Sequence, residues 1–358
     1  MLALPLMLAL AAAPKASGQE YAVKELARQI VAHGCPPWML GKSAWGWAQL
    51  GCDAFAGSAL VSQALDSGPE ERAQAAKLVE ALAADALSPA AQRAFRSTGF
   101  SDVGGRKLPK SILYRGFVLL LLSGAERLHP DNELSGFYDA LAREVASSLS
   151  KSPAGFLPTY GTALVWPCDH APAASGLLLH GELRKDEETA AAGREMVTRL
   201  RALLKRRRGF PAQILPSGEA VVSTPRGAAV AWTAGFLRIG DPDTSRAFAD
   251  AFFIQFCDAD YGYLACREWP RGVKGWEDAD SGPIIAGYGT AASALGLGAA
   301  RGSSHPEYEG QLARTAEVAG VGVYLSTPRQ YPLENAIYFW ARTVRPWLPA
   351  EAGEEARP

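Results

Sequence analysis

The chain has 358 residues, of which 48% are hydrophobic and 20% are charged, and its formal net charge is −1. This is an ordinary globular composition with enough apolar material for a large core, and it excludes a chain that is basic throughout. One basic run, Lys205, Arg206, Arg207 and Arg208, stands at the end of a predicted helix, where cations complement the helix dipole, so we expect no nucleic-acid partner.

The N-terminal residues 1–18 (MLALPLMLALAAAPKASG) form an apolar run of signal-peptide length that ends in small residues. The run has no basic residues at its start and is too short for a typical membrane span. We therefore predict a signal peptide and a periplasmic or secreted protein, with an N-terminal membrane anchor as the alternative. No later segment is apolar for long enough to predict a stable membrane span.

Five cysteines are present and none forms a CxxC pair, so a zinc knuckle is not predicted. In an oxidising compartment, Cys35 with Cys52 and Cys257 with Cys266 are candidate disulfides, because the members of each pair are close in sequence. The odd number leaves at least one thiol unpaired, and we assign this role to Cys168 from its position.

Apolar residues recur at helical spacing between regularly placed prolines and glycines. A short helical piece is predicted near residues 89–96. The main predicted helices lie at about 20–33, 53–66, 70–86, 112–128, 133–150, 170–183, 186–205, 226–239, 243–258, 282–301, 307–324 and 333–347.

The predicted helices are of two kinds. Five segments are apolar on most faces and indicate buried helices: Ala54 to Leu65, Ile112 to Leu122, Ala171 to Leu179, Ala228 to Leu237 and Ile284 to Leu297. Helices with polar faces alternate with them along much of the chain. This alternation predicts an all-α fold, an (α/α)6 barrel of inner and outer helices, with residues 19–348 as one domain. A superhelical repeat array is the alternative, although no fixed period is visible.

Two segments depart from the helical pattern. Residues Ala212 to Val222 contain two short extended runs about a Pro-Ser-Gly turn, which predicts a small β-hairpin at one mouth of the barrel. Residues 349–358 are rich in Glu and Ala and are predicted to be a disordered tail.

In such a barrel the N-terminal ends of the inner helices meet at one mouth, so the loops that enter them form the natural pocket. These loops, at 34–47, 97–116, 160–170, 221–227 and 267–282, hold six of the nine tryptophans. Aromatic walls with a few polar groups suit a small-molecule substrate. Trp38 and Tyr114 are predicted to belong to the substrate-binding wall.

The stretch from Tyr160 to His170 places several reactive side chains before an apolar helix. Asp169 is a suitable N-cap, and the helix dipole is expected to lower the pKa of the Cys168 thiol. We predict Cys168 and Asp169 to be catalytic, and Tyr160, Trp166 and His170 to bind the substrate. The ordinary alternative is that Asp169 only caps the helix, Cys168 only packs and His170 faces water.

A second cluster of charges lies between residues 226 and 282. Asp278 and Asp280 precede a predicted helix, so one of them is able to cap it while the other faces the pocket. Glu268 adds a third carboxylate, and carboxylates near one apolar cleft tend to split in pKa into an acid and a base. Arg226 is predicted to neutralise them or to bind an anionic group. No metal is predicted, because the spacing does not demand one.

Four segments resemble, in order and rough spacing, the linalool dehydratase/isomerase family. They are YRGFVLLLLSGAERL from Tyr114, WPCDHAPAASGLLL from Trp166, RGAAVAWTAGFLRIGDP from Arg226 and REWPRGVKGWEDADSG from Arg267. The resemblance implies an (α/α)6 barrel, a periplasmic location, a cyclic homo-oligomer and cofactor-free acid/base chemistry on an allylic terpene alcohol. Cys168 corresponds to one of the family's two active-site cysteines, whereas its other cysteine falls near Pro158 and its histidine on Phe117.

Three functions remain open from the sequence. The leading hypothesis is a lyase or isomerase without a cofactor, in which Asp278 or Asp280 exchanges a proton with a small, largely apolar alcohol or alkene. The second is a carbohydrate-active (α/α)6 enzyme, since tryptophan-lined loops and paired carboxylates suit sugar rings. The third is a non-catalytic binding protein on a decayed enzyme fold.

Overall fold

The computed structural model describes residues 16–35, 47–161, 163–278, 280–326 and 329–348. The predicted tail (349–358), Trp38 and nearly all of the predicted signal peptide (1–18) lie outside these ranges. Within them, no helix combines the length and the apolar character that a membrane span requires. The division into domains stays a prediction.

The helical elements follow the predicted order, with bounds that mostly shift by a few residues. Among the described residues the α-helices are α1 (Ala16–His33), α2 (Ala48–Ala64), α3 (Pro69–Ala86), α4 (Pro89–Gln92), α5 (Ile112–Leu128), α6 (Ser135–Lys151), α7 (Ala171–Arg184), α8 (Glu187–Leu204), α9 (Gly227–Gly240), α10 (Pro242–Phe256), α11 (Thr290–Ala300), α12 (Glu307–Val318), α13 (Val321–Ser326) and α14 (Pro332–Thr343).

Some helix starts coincide with residues whose side chains accept free backbone N–H groups. Ser111 Oγ accepts the Tyr114 N–H at the start of α5, and Asp186 Oδ1 accepts the Thr189 N–H at the start of α8. Asp241 Oδ1 does the same for α10. Such caps typically contribute about 1 kcal/mol each. They explain why α5 and α8 begin close to where the sequence predicted.

Six helices form a closed inner ring. The contacts run α2 to α5, α5 to α7, α7 to α9, α9 to α11, α11 to α14, and α14 back to α2. Helices α1, α3, α6, α8, α10 and α12 pack outside this ring against the inner helices. The structure therefore confirms the predicted (α/α)6 barrel of alternating inner and outer helices.

The centre of the ring is filled by aromatic side chains from opposite inner helices. Phe55, Phe117, Trp232, Phe236 and Trp340 contact one another, with ring centroids 5.1 Å apart for Phe55 and Trp340 and 4.8 Å for Phe236 and Trp340. Contacts of this kind stabilise a fold beyond the burial of their area. Small residues elsewhere on the same helices let the backbones approach closely.

Four antiparallel hairpins decorate the barrel among the described residues. The predicted hairpin is confirmed, and its Ile214 exchanges two backbone hydrogen bonds of 3.0 Å with Val165, in the segment just before α7. The paired strands are β1 (Phe100–Val103) with β2 (Arg106–Pro109), β3 (Gln213–Ile214) with β4 (Ala220–Val222), β5 (Cys257–Asp260) with β6 (Tyr263–Cys266), and β7 (Ile284–Ile285) with β8 (Tyr288–Gly289).

The predicted helix at 282–301 is wrong in its first part. Helix α11 begins only at Thr290, because the β7–β8 hairpin precedes it. Its turn places Ala286 and Gly287 at φ of 52° and 87°, in the left-handed region that a right-handed helix excludes. Consequently neither Asp278 nor Asp280 caps α11, whose N-cap is Gly289.

Both candidate disulfides are formed, Cys35 with Cys52 and Cys257 with Cys266. The first bond joins the segment after α1 to the second turn of α2, and the second closes the β5–β6 hairpin across its ends. Cys168 is the free cysteine, and it is buried.

Candidate active site

A pocket opens where the N-terminal ends of the inner helices meet. Its cavity volume is about 120 Å³. The wall is mostly aromatic and aliphatic, with four polar side chains among the aromatic ones. The lining residues are Trp47, Leu113, Tyr160, Trp166, Cys168, Asp169, Ala212, Arg226, Ala228, Ala229, Trp232, Asp280, Ala291, Ala294, Leu295 and Ile337.

Asp169 is the buried carboxyl group of this pocket. It lies in a short 3₁₀ turn, Pro167–His170, that leads into α7, and it makes no helix cap. Its Oδ2 accepts a 2.6 Å hydrogen bond from the Thr159 hydroxyl, and its Oδ1 lies 3.6 Å from the Cys168 sulfur. Burial raises the pKa of Asp169 to about 7, with a further rise from Asp280, while the Thr159 hydrogen bond opposes the shift. The capping interpretation of Asp169 is wrong, and the residue can hold a proton near neutral pH.

The Cys168 thiol is held in its protonated form. Burial, together with the neighbouring Asp169 carboxyl, raises the pKa of Cys168 well above its ordinary value. The expected lowering by the helix dipole is wrong, since desolvation and a like charge outweigh a dipole that acts one turn away. Cys168 is therefore a weak donor to Asp169 rather than a thiolate nucleophile.

Asp280 supplies a second carboxyl group from the loop between β6 and β7, far from Asp169 in the sequence. Although the residue as a whole is exposed, its carboxyl is crowded by protein atoms, and this desolvation raises its pKa. The nearby Asp278 adds to the rise, whereas Arg226 and a hydrogen bond from Trp47 oppose it. Asp169 and Asp280 also interact electrostatically with each other, so the structure brings these two predicted groups to one cavity.

Arg226 ties the remaining two carboxylates together at the start of α9. Its Nε donates to Glu268 at 2.6 Å, and its two Nη atoms donate to the two Asp278 oxygens at 2.8 Å each. This bidentate pairing lowers the pKa of Asp278, whereas burial raises the pKa of Glu268 to about 7 despite Arg226. Asp278 also accepts the backbone N–H groups of Asp280 and Ser281.

These contacts indicate that Glu268 and Asp278 stabilise the structure around the pocket. Glu268 is fully buried, does not line the pocket, and accepts the Ala228 N–H at the first turn of α9. Asp278 fixes the loop that carries Asp280. Thus Asp280, and not Asp278, is the acidic residue of this loop that faces the pocket, and Arg226 positions both loop and helix start.

The aromatic wall combines predicted and unpredicted residues. Tyr160 stacks on Phe95 with ring centroids 5.5 Å apart and meets Trp166 edge-on at 5.7 Å. Trp232 on α9 also lines the pocket, and its buried indole nitrogen has no hydrogen-bond partner in the structure. Trp232 and Thr159 escaped the sequence analysis, because one lies in an apolar helix and the other looks like an ordinary loop residue.

Two predicted binding residues do not reach the pocket. His170 is buried, its Nε2 accepts the Leu157 N–H at 2.9 Å, and burial lowers its pKa to about 3, so neither water nor substrate faces it. Tyr114 donates its hydroxyl to the Ala86 carbonyl at 3.0 Å and is equally buried. Both side chains stabilise the structure behind the pocket wall. Trp38 lies outside the described residues.

The described part of the chain contains no group of three or more His, Cys, Asp or Glu side chains arranged to hold a metal ion. The arrangement that it does contain is one protonatable carboxyl and one more exposed carboxyl in an aromatic pocket. Such a pair can donate a proton to a leaving group and activate a nucleophile.

Comparisons with known proteins identify the fold. No family model matches the chain, and no curated protein sequence matches it. An unsaturated glucuronyl hydrolase specific for heparin has a TM-score of 0.53 at 13% identity, covering 91% of this chain and 98% of that one. An unsaturated glucuronyl hydrolase from Bacillus sp. GL1 gives 0.50 at 14% identity, covering 90% and 95%. A family 76 glycoside hydrolase (mannosidase) from Bacteroides thetaiotaomicron gives 0.50 at 10% identity, covering 90% and 97%.

The resemblance to linalool dehydratase/isomerase is wrong. The similar structures include glycoside hydrolases of family 76 and unsaturated glucuronyl hydrolases, and no family model supports the four segments. Three of those segments begin at or near inner-helix starts, and their small residues, such as Gly116 and Gly176, allow close contacts between helices of this ring. Phe117, on which the family's histidine falls, belongs to the aromatic centre. At these identities the similarity to solved structures shows an (α/α)6 barrel.

Proposed function

We propose that the protein is a carbohydrate-active enzyme that cleaves a glycosidic bond in the mouth pocket. Asp169 acts as the general acid that protonates the leaving oxygen, and Asp280 acts as the carboxylate that activates water or attacks the sugar. The observation that carries this proposal is the meeting of these two carboxyl groups, with unequal surroundings, in one aromatic pocket. Most enzymes that cleave glycosidic bonds use such a pair.

Three further features support the assignment. The pKa of Asp169 near 7 keeps its proton available at neutral pH, and Asp280 is the more exposed of the two residues. The walls formed by Tyr160, Trp166 and Trp232 offer flat apolar faces to a sugar ring. The solved structures with the same fold include hydrolases that act on glycans, according to their descriptions.

The test is a substrate screen followed by two isosteric replacements. Neutral and uronate oligosaccharides, with nitrophenyl glycosides of the same sugars, are screened by thermal shift and by release of product. In Asp169→Asn and Asp280→Asn we expect kcat to fall by about 10²–10⁴-fold. An activated nitrophenyl leaving group needs no proton, so it should recover part of the loss in Asp169→Asn but not in Asp280→Asn.

Asp260→Asn is the matched control, because this aspartate is exposed on β5 and outside the pocket. It should retain wild-type turnover. Full turnover in Asp169→Asn and Asp280→Asn would exclude the assigned roles. Binding of a sugar without any product would favour the alternative of a non-catalytic binding protein.

A second candidate function is acid/base chemistry on a small apolar alcohol or alkene. The aliphatic side chains of the pocket wall, which include Leu113, Leu295 and Ile337, favour this function. The same screen therefore includes small unsaturated alcohols. Stabilisation by these compounds, and by none of the sugars, would replace the carbohydrate proposal with this one.

We also propose that the protein works in an oxidising compartment, periplasmic or extracellular. The two disulfides support this location, because such bonds persist where thiols are not kept reduced. The cyclic homo-oligomer stays a prediction.

A further inference from the structure

An exposed tryptophan stands on the segment that carries Asp280 to the pocket. Trp276 exposes 68% of its surface, and it lies between Trp269 and Asp278 in sequence. A single exposed aromatic residue needs no functional explanation by itself. What requires one here is that a neighbouring tryptophan holds the backbone of Trp276 while most of its side chain stays exposed.

The backbone under Trp276 is fixed by Trp269. The buried Trp269 ring donates its Nε1–H to the Trp276 carbonyl at 3.1 Å, and the two ring centroids lie 5.4 Å apart. The neighbouring Gly275 lies so close that a Cβ there would be 2.0 Å from the Trp269 Nε1. The glycine therefore permits a contact that any other residue would break.

This pair of indoles continues from the pocket wall. The Arg226 guanidinium lies over the Trp269 ring at 5.3 Å from its centroid, and Arg226 itself lines the pocket. Asp278, two residues beyond Trp276, binds Arg226 through both oxygens. Pocket, Arg226, Trp269 and Trp276 thus form a continuous row that ends at the protein surface.

We propose that Trp276 forms a distal subsite for a glycan chain. One sugar ring of the chain stacks on Trp276, while the end of the chain that is cleaved lies in the pocket. The inference rests on the proposed function, and it names the substrate class as oligosaccharides rather than short glycosides. An indole has only two side-chain torsions to order on binding, and here the backbone beneath it is already held by Trp269, so stacking on it costs little conformational freedom.

The test compares chain lengths with Trp276→Ala. The probes are mannose oligosaccharides and glycosaminoglycan-derived oligosaccharides of two to six residues. For the longest cleaved member we expect KM to rise about tenfold with kcat unchanged, since one aromatic stacking contact has roughly that effect. For the disaccharide and for nitrophenyl glycosides, KM should stay within about twofold. Trp276→Phe should retain most of the affinity for long chains.

Tyr261→Ala is the control, because Tyr261 is even more exposed and lies on the turn between β5 and β6. It should leave both KM values unchanged, and thermal unfolding verifies that all variants fold. Equal KM changes for short and long substrates, or none for either, would overturn the subsite while the proposed function stands. If wild type neither binds nor cleaves any of these sugars, the subsite falls together with the proposed function.

Discussion

Two carboxyl groups with different surroundings are expected to set the two limbs of the pH profile. Activity should rise as Asp280 ionises, and it should fall as Asp169 loses its proton near pH 7, where burial places its pKa. We therefore predict a bell-shaped dependence of kcat/KM on pH, measured between about pH 4 and pH 9 on a cleaved substrate. In Asp169→Asn the residual activity on an activated glycoside should lose its alkaline limb; an unchanged limb would exclude Asp169 as the acid.

The same pKa predicts the sign of a stability change. Folded Asp169 keeps its proton up to about pH 7, whereas an unfolded aspartate releases it near about 3.9. Stability contributed by this group is therefore complete below the unfolded pKa and is lost as pH rises through about 7. Asp169→Asn should reduce this fall, although Glu268 keeps part of it because burial raises its pKa as well.

For single residues, the sequence predicted which side chains reach the pocket more reliably than which side chains they contact. It selected Asp169, Cys168, Arg226 and Asp280, which the structure brings to one pocket. It also predicted that Arg226 neutralises the neighbouring carboxylates, and the ion pairs with Glu268 and Asp278 bear this out. It could not select these two partners over Asp280, because the pairs span 42 and 52 positions and depend on how the loops fold. For the same reason, the sequence could not predict the burial of Cys168, which reverses the expected shift of its thiol pKa.

Among the secondary-structure elements, long helices were predictable and short strand pairs were not. Helix α5 has the predicted bounds, since a cap at Ser111 and an apolar run define it. The β7–β8 hairpin has only two residues in each strand, so its apolar residues look like the beginning of α11. Two-residue strands carry too few alternations to reveal a strand period.

A helix contact gives the prediction at the element scale. Gly116 on α5 faces Ala173 on α7, and a Cβ at Gly116 would lie 2.9 Å from the Ala173 nitrogen and 3.1 Å from its Cβ. Neither backbone can yield easily, so Gly116→Ala should overpack the contact and destabilise the fold by about 1–3 kcal/mol. Urea unfolding followed by circular dichroism measures this difference.

The matched control is Gly136→Ala on the outer helix α6. A Cβ at Gly136 meets no atom within 4 Å, so alanine should be neutral or stabilise by up to about 1 kcal/mol through helix propensity. If both substitutions had the same effect, the close approach of α5 and α7 would not be a constraint on the ring.

At the scale of the whole molecule, ring closure depends on the C-terminal part of the chain. The sequence predicted five inner helices, and the structure adds α14 as the sixth. Beyond it, the Trp347 indole donates to Ser62 Oγ at 3.0 Å and its backbone N–H to the Ile239 carbonyl at 3.0 Å. The sequence analysis did not identify α14 as an inner helix, because α14 has a polar side and its apolar face is narrower than those of the other five inner helices.

The last prediction concerns the thiols of the native protein. With both disulfides formed, the denatured and unreduced chain should contain one reactive thiol out of five cysteines, and Cys168 should react slowly in the native state because it is buried. Reduction should destabilise the fold by about 2–4 kcal/mol per bond, since each bond restricts the unfolded chain. Counting thiols on protein isolated from its own cells, without reductant, measures this directly. Five reactive thiols would argue against both the disulfides and the proposed oxidising compartment, whereas a Cys168→Ser variant with none would confirm that the other four cysteines are all in disulfides.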